Sequence, residues 1–159
     1  GNEPSHHVAY LYAYAGQPWR TQERLGQIMK TQYAPRPDGL AGNDDLGQMS
    51  AWYVFTALGF YPVAPGSNEY IIGRPFLPRA SLNLPNGKRF TVVAEGLDAA
   101  HPYIGRAMLN GKPLERAFIR HEENMDGGEL HFTMQAEADK AWATGAAERP
   151  YSMSGAAGR

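Results

Sequence analysis

Apolar residues recur at helical spacing through the first third of the chain. Pro4 starts a first helix, in which they return every three or four positions until Gly16. Pro18 starts a second helix, whose apolar side is mostly separate from its charges. A third segment, about residues 46–60, is apolar on nearly every side, so we expect most of its faces to be buried. The short connections predict an antiparallel helical array.

The pattern changes to short alternating runs after Pro65. Asn86-Gly87 and Asn110-Gly111 each separate two such runs, which is a strong hairpin signal. The fold class is therefore α+β. The three predicted helices alone are too few to surround the apolar third helix, so we expect its faces to pack against partners absent from this chain. We expect about six antiparallel strands, at residues 69–72, 80–84, 90–94, 103–109, 114–119 and 129–134. The predicted organisation is a helical part at 1–66, a small antiparallel β-segment at 67–150 and a tail at 151–159.

Charge and composition exclude several classes of protein. A formal net charge of -1 gives no electrostatic reason to bind nucleic acid or an anionic membrane. The absence of cysteine excludes disulfides, thiolate zinc sites and a cysteine nucleophile. No apolar run is long enough to span a bilayer. The chain opens directly on a motif, without methionine or a signal peptide, so we expect a piece of a longer protein.

Two adjacent carboxylates, Asp44 and Asp45, precede the apolar third helix. Asp45 and Gln48 have the spacing of a capping box, and aspartate is common at helix starts, so a plain cap is one interpretation. The other is acid/base chemistry at the mouth of a buried helix. Spacing alone does not choose between them. Asp38, in a Pro-Asp-Gly turn, fits turn chemistry, but it precedes the acidic pair closely enough to stay a candidate for the site.

A second polar cluster lies at the start of the chain. Asn2 and Glu3 offer the oxygen ligands that a hard cation such as calcium prefers, or they cap the first helix. His6 and His7 do not have zinc-site spacing, because adjacent helical residues point about 100° apart. Two alternatives stay open for His6 or His7: contact with a substrate, or simple packing.

Two long strings carry a family resemblance. GNEPSHHVAYLY at 1–12 and GNDDLGQMSAWYVFTALGFYPVAPG at 42–66 resemble glycoside hydrolase family 92, the calcium-dependent exo-acting α-mannosidases. The resemblance extends over about residues 1–150. It implies the last helices of an (α/α)6 barrel followed by the β-segment, with an N-terminal β-sandwich and the rest of the barrel elsewhere.

The resemblance also implies a chemistry and its residues. Members hydrolyse terminal α-mannosyl bonds with inversion: a carboxylate base activates water, a separate glutamate is the general acid, and calcium holds sugar hydroxyls. Asp45 is carried over as the base, with Asp44 beside it in the catalytic group. Asn2 and Glu3 match the motif next to calcium. The expected sugar contacts are His6 and Asn43, although the family commonly has an acidic residue where Asn43 stands. The general acid has no counterpart here.

The expected partners are a mannose-containing glycan, such as a mannan or an N-glycan, and the remainder of the same enzyme. Calcium is the expected cofactor, and the resemblance implies a periplasmic or secreted protein. The chain alone is expected to be inactive. The alternative is a non-catalytic carbohydrate-binding or structural module. The active-site reading further predicts that the first and third helices run parallel, so that their polar ends meet.

Overall fold

The computed structural model describes residues 2–153. Two 3-10 turns form the start of the chain, at Glu3–Ser5 and Val8–Tyr10, and lead into a short helix α1 (Leu11–Tyr14). Helix α2 (Pro18–Thr31) begins at the predicted proline. Proline is tolerated in the first helical turn, because the N–H that it lacks would have no partner within the helix there. Helix α3 (Gln48–Leu58) starts two residues later than predicted, and Gly59, in a left-handed conformation, ends it.

The second part of the chain forms two small sheets. A three-stranded sheet has the order β1-β2-β7, and a five-stranded sheet has the order β3-β4-β8-β5-β6. The strands are β1 (Phe60–Tyr61), β2 (Glu69–Ile72), β3 (Arg79–Asn83), β4 (Arg89–Glu95), β5 (Tyr103–Leu109), β6 (Lys112–Pro113), β7 (Phe118–Arg120) and β8 (Gly128–Gln135). A one-turn helix α4 (His121–Met125) lies between β7 and β8.

The prediction of a wholly antiparallel β-segment is wrong at one pair of strands. Strand β8 inserts between β4 and β5, antiparallel to β5 but parallel to β4. The first predicted hairpin is confirmed, because β3 pairs with β4 across Asn86-Gly87. The second turn is confirmed at Asn110-Gly111, but the strand that pairs with β5 is the short β6, not the predicted strand 114–119. Within that range only the start of β7 is a strand, and it pairs with β2 in the smaller sheet. At the second turn φ is 50° at Asn110 and 77° at Gly111, the left-handed pair that a two-residue hairpin loop needs.

One hydrophobic core joins the helices to both sheets. Tyr10, Leu25 and Trp52 contribute to it from the helical part, and Phe90 and Phe132 from the large sheet. It also includes Trp142 and Ala143, which follow the last strand. Packing is therefore continuous across the predicted boundary at residue 66, and the proposed division into parts remains a prediction.

Helix α3 is less buried than its composition predicts. Tyr53 is 42% exposed and Val54 is 56% exposed, while Trp52 on the opposite side is 1% exposed. Val8 and Leu11 are also about half exposed at the start of the chain. One face of this helix is therefore exposed in this chain, as expected if three helices are too few to enclose it. No helix within residues 2–153 has the length and apolar character needed to cross a membrane.

Candidate active site

The segment that follows the first turn, from His6 to Tyr10, is hydrogen-bonded to α3 at two points. The Trp52 indole Nε1 donates to the carbonyl oxygen of His6 at 3.0 Å. Further along both segments, the hydroxyls of Tyr10 and Thr56 are 3.0 Å apart. Because residue number increases in the same direction on both sides, the two segments run parallel. The predicted orientation is confirmed, and it brings Asn2 and Glu3 to the end of α3 that carries Asp44 and Asp45.

An unusual backbone turn precedes α3. Asp45, Leu46 and Gly47 are all left-handed, with φ of 50°, 59° and 93°. Glycine adopts this conformation readily, whereas a residue with a β-carbon loses roughly 1–2 kcal/mol in it. The turn explains why α3 begins at Gln48 rather than at position 46. Such strained backbone is typical of functional sites.

Asp44 and Asp45 have different roles at this helix start. The two carboxylate oxygens of Asp44 accept hydrogen bonds from the Ser50 backbone N–H at 2.9 Å and from the Ser50 hydroxyl at 3.0 Å. Asp44 therefore satisfies a free N–H of the first helical turn, as a cap does. The predicted capping box between Asp45 and Gln48 is wrong, because the Gln48 amide is directed to His6 and Tyr61 instead.

Asp45 instead faces Glu3. A side-chain hydrogen bond with the Asp45 carboxyl raises the pKa of Glu3 above its ordinary value, and the charge of Asp45 adds to that effect. Both residues are exposed. Within the part of the chain that the structure describes, neither carboxylate forms an ion pair with lysine, arginine or histidine. Two facing carboxylates without a cationic side chain are a suitable donor set for a hard cation, which would remove their repulsion.

The two asparagines at this end, Asn2 and Asn43, are both exposed. Asn2 precedes the first turn, but only its backbone carbonyl acts there, accepting from the Ser5 N–H at 3.0 Å and from the Ser5 hydroxyl at 2.9 Å. Its side chain makes no capping hydrogen bond, so the alternative of a side-chain cap is not what the structure shows. Asn43 is exposed beside the acidic pair in sequence.

His6 is packed into the protein. The residue is only 8% exposed, and its ring stacks on Trp52 with centroids 5.1 Å apart. Its Nδ1 lies 3.2 Å from the Gln48 amide nitrogen, and its Nε2 lies 3.1 Å from the Met49 sulfur. Burial lowers the pKa of His6 below its ordinary value, which favours the neutral imidazole. The ring also borders an open groove of about 390 Å³ together with Gln32 and Tyr33, but neither Glu3 nor Asp45 lines that groove.

The described residues do not complete a metal site by themselves. No group of three or more histidine, aspartate or glutamate side chains in 2–153 is arranged to hold a metal ion. Calcium takes six to eight oxygen ligands, including amide oxygens and waters as well as carboxylates. The carboxyls of Glu3 and Asp45 fit part of such a shell, and Asn2, next to Glu3 in the chain, has an amide oxygen of the same class of ligand. The other ligands would be water, sugar hydroxyls or residues outside this chain.

Sequence reasoning did not assign the residues that hold the two ends together. Gln48, Trp52 and Tyr61 link the first turn, α3 and β1, and the contacts of Gln48 and Trp52 with His6 join positions 42 and 46 residues apart in sequence. Each has an aromatic or amide side chain that fits an ordinary helix or strand. The signal in the sequence was that all three lie within the same long motif as Asp45, at 42–66.

Comparison with known proteins places the chain in a family. The sequence profile of the glycosyl hydrolase family 92 catalytic domain matches residues 1–136. A protein from Arthroderma benhamiae named an uncharacterized secreted glycosidase is 38% identical over 156 residues, covering 96% of this chain. A family GH92 α-mannosidase from Bacteroides thetaiotaomicron, solved in complex with mannoimidazole, is 40% identical with a TM-score of 0.92 and 96% of this chain covered.

An inverting family GH92 mannosidase from the same bacterium is 46% identical, with a TM-score of 0.90 and the same 96% coverage of this chain. The chain spans only 20% of the Arthroderma protein and 20–21% of the two bacterial structures. Because the family profile matches most of its residues, the chain belongs to glycoside hydrolase family 92.

Proposed function

We propose that this chain is the C-terminal part of a longer α-mannosidase that removes terminal α-mannosyl residues with inversion of configuration. The observation that carries the proposal is the parallel course of the two segments, which brings Glu3 and Asp45, from two separate motifs, to the same end. It is supported by the effect of Asp45 on Glu3, whose pKa it raises. It is supported by the similarity to two solved mannosidases, one of them inverting.

Asp45 is the general base in this proposal. Its carboxylate takes one proton from a water molecule as the water oxygen bonds to the anomeric carbon and the bond from that carbon to the leaving oxygen breaks. The leaving oxygen receives a proton from a general acid outside this chain. Inverting enzymes hold the two carboxyl groups roughly 6.5–9.5 Å apart to admit the water. The packed helix behind Asp45, together with the cap that Asp44 forms with Ser50, fixes the base in place.

Asn2 and Glu3 are the proposed calcium ligands. Bound calcium would hold adjacent hydroxyls of the mannose ring and favour its distortion toward the transition state. The facing carboxyls of Glu3 and Asp45 supply the negative charge that such an ion requires. Of the two predicted sugar contacts, His6 and Asn43, we propose only Asn43, which is exposed. Both ring nitrogens of His6 already have partners within the chain, so His6 is not proposed as a sugar contact.

The exposure of the acidic pair supports the proposal that the rest of the enzyme closes the site. The exposed faces of α3 and of the first turn would then pack against earlier helices of the same domain. We therefore propose that this chain alone has no useful mannosidase activity. The substrates would be mannans or N-glycans in the periplasm or outside the cell, in keeping with the relative that is named a secreted glycosidase.

The test is to assay the complete enzyme on an α-mannoside and to follow the first-formed mannose by proton NMR. We expect the β-anomer to appear first, activity to be lost in excess chelator, and calcium to restore it. First formation of the α-anomer would contradict the inverting mechanism. Unchanged rates in chelator would remove Asn2 and Glu3 from the metal role. Mannoside binding without turnover would favour the alternative of a non-catalytic module.

A further inference from the structure

Gln48 occupies the junction between the two segments that carry the acidic pair. Its side-chain nitrogen lies 3.2 Å from His6 Nδ1 and donates to the Tyr61 hydroxyl at 2.9 Å. It therefore contacts the first turn and β1 from the first residue of α3. Gln48 is three positions after Asp45, and His6 is three positions after Glu3.

The neighbours of His6 determine which ring nitrogen carries the proton. Nε2 lies 3.1 Å from the Met49 sulfur. A thioether sulfur has no hydrogen and acts only as a weak acceptor, so Nε2 must be the donor. In a neutral ring Nδ1 is then an acceptor and requires a donor opposite it. The Gln48 amide supplies that N–H group, and its second N–H reaches Tyr61.

We propose that Gln48 is a positioning residue, which holds the His6 imidazole in the Nε2–H tautomer and thereby fixes Glu3 against Asp45. The proposal rests on the function proposed above and adds to it the residue that sets the separation of the two carboxylates. His6 acts here through its position in the junction rather than by contact with the sugar.

The other contacts of His6 make the junction, meaning the contacts of His6 with Gln48 and Trp52, sensitive to the hydrogen bond between His6 and Gln48. The ring stacks on Trp52 with planes inclined by only 21°, and Trp52 also holds the His6 carbonyl. A change of tautomer would place two lone pairs, on Nε2 and on the Met49 sulfur, against each other. The ring would have to rotate out of the stack, and the first turn that bears Glu3 would move with it. A displacement of about 1 Å at a catalytic group reduces the rate on the order of 100-fold.

The test combines NMR with kinetics on the complete enzyme. Histidine labelled with nitrogen-15 reports which imidazole nitrogen is protonated, and we expect His6 to be neutral with the proton on Nε2. In Gln48→Glu a carboxylate faces Nδ1, so we expect that nitrogen to become protonated. Gln48→Met removes both hydrogen bonds without adding charge, so we expect both tautomers to be populated.

Both variants are expected to lower kcat/KM for an α-mannoside by about 10- to 100-fold. Gln32→Glu is the matched control, because it makes the same chemical change in the groove beside His6 without contacting the ring. In this variant we expect the His6 tautomer and kcat/KM to match those of the wild type. Gln48→Met tests the proposal by itself if Gln48→Glu does not fold.

Three outcomes would overturn the proposal or separate it from the function on which it rests. A wild-type proton on Nδ1, or Gln48→Met with kcat/KM within twofold of wild type, would refute it. A wild-type enzyme without mannosidase activity would refute the proposed function instead. In that case the tautomer, together with hydrogen exchange at residues 3–6, would decide the role of Gln48: unchanged protection in Gln48→Met would refute it, and a tenfold or greater loss would support it.

Discussion

Replacing Trp52 with phenylalanine should weaken the attachment of the first turn to α3. Trp52 is 1% exposed, and its Nε1 donates to the carbonyl of His6 at 3.0 Å. Phenylalanine leaves that carbonyl without its donor, at a cost of about 1–3 kcal/mol for a buried unsatisfied group. The smaller ring also leaves about 1–2 kcal/mol of apolar burial unfilled. We therefore expect a total loss of about 2–5 kcal/mol in the free energy of unfolding.

The assay is urea unfolding of the protein followed by circular dichroism. We expect the midpoint to fall while the dependence on urea stays the same, since the surface exposed on unfolding barely changes. Trp19→Phe is the control, because Trp19 is partly exposed and is covered by the cationic ends of Arg20 and Lys140. It should cost less than about 1 kcal/mol. Equal losses in the two variants would refute the claim that the Trp52 hydrogen bond holds the junction.

Three further substitutions test the N-terminal end of α3 and the first turn that lies beside it. Leu46→Gly should be neutral or stabilise the protein by up to about 1 kcal/mol, because Leu46 is fully exposed and has a left-handed φ of 59°. The control is Ala51→Gly at an exposed position inside α3, which should cost about 1 kcal/mol. Equal losses in the two variants by urea unfolding would contradict the strain argument. Ser50→Ala removes one of the two donors to Asp44 and should cost about 0.5–1 kcal/mol by the same assay; no loss would argue against the cap. The pKa of Glu3 is raised above 4.5 in the folded protein, so the folded state binds this proton more tightly than the unfolded state, and the contribution of Glu3 to stability falls as pH rises from about 4.5. Glu3→Gln should remove that decline and raise the calcium-free melting temperature at pH 7, whereas a lower melting temperature would show that the facing carboxylates do not repel each other.

Local signals in the sequence predicted most of the secondary structure. The proline at the start of α2 and the Asn-Gly turns act within a few residues, so their effects can be read from neighbouring positions. The parallel pairing of β8 with β4 had no such signal. It depends on the path of the chain through β5, β7 and α4, which alternation along a single strand does not specify.

The candidate site was predicted in part for the same reason. Parallel first and third segments follow from a helix lying between them, so the approach of Glu3 to Asp45 was foreseeable. The three left-handed residues before α3 were not, because two of them, Asp45 and Leu46, are not glycine. The role of Gln48 was hidden as well, since its partners lie 42 and 13 residues away along the chain.

The exposed face of α3 illustrates a different limit. An all-round apolar segment predicts burial but does not say which chain supplies the covering surface. Tyr53 and Val54 remain exposed, while the chain accounts for about a fifth of the length of its relatives. The sequence therefore identified a helix that requires partners, and those partners are not specified by its own residues.

The most direct test of the central claim is Asp45→Asn in the complete enzyme, compared with Asp38→Asn. Asp38 is an exposed aspartate that pairs with Arg36 at 3.2 Å in a surface turn, so its loss should leave kinetics unchanged. For Asp45→Asn we expect mannoside binding to persist and kcat to fall by about 10²–10⁴-fold, as loss of a general base predicts. A kcat within a few fold of wild type, with the melting temperature lowered instead, would contradict the assignment of Asp45 as the base.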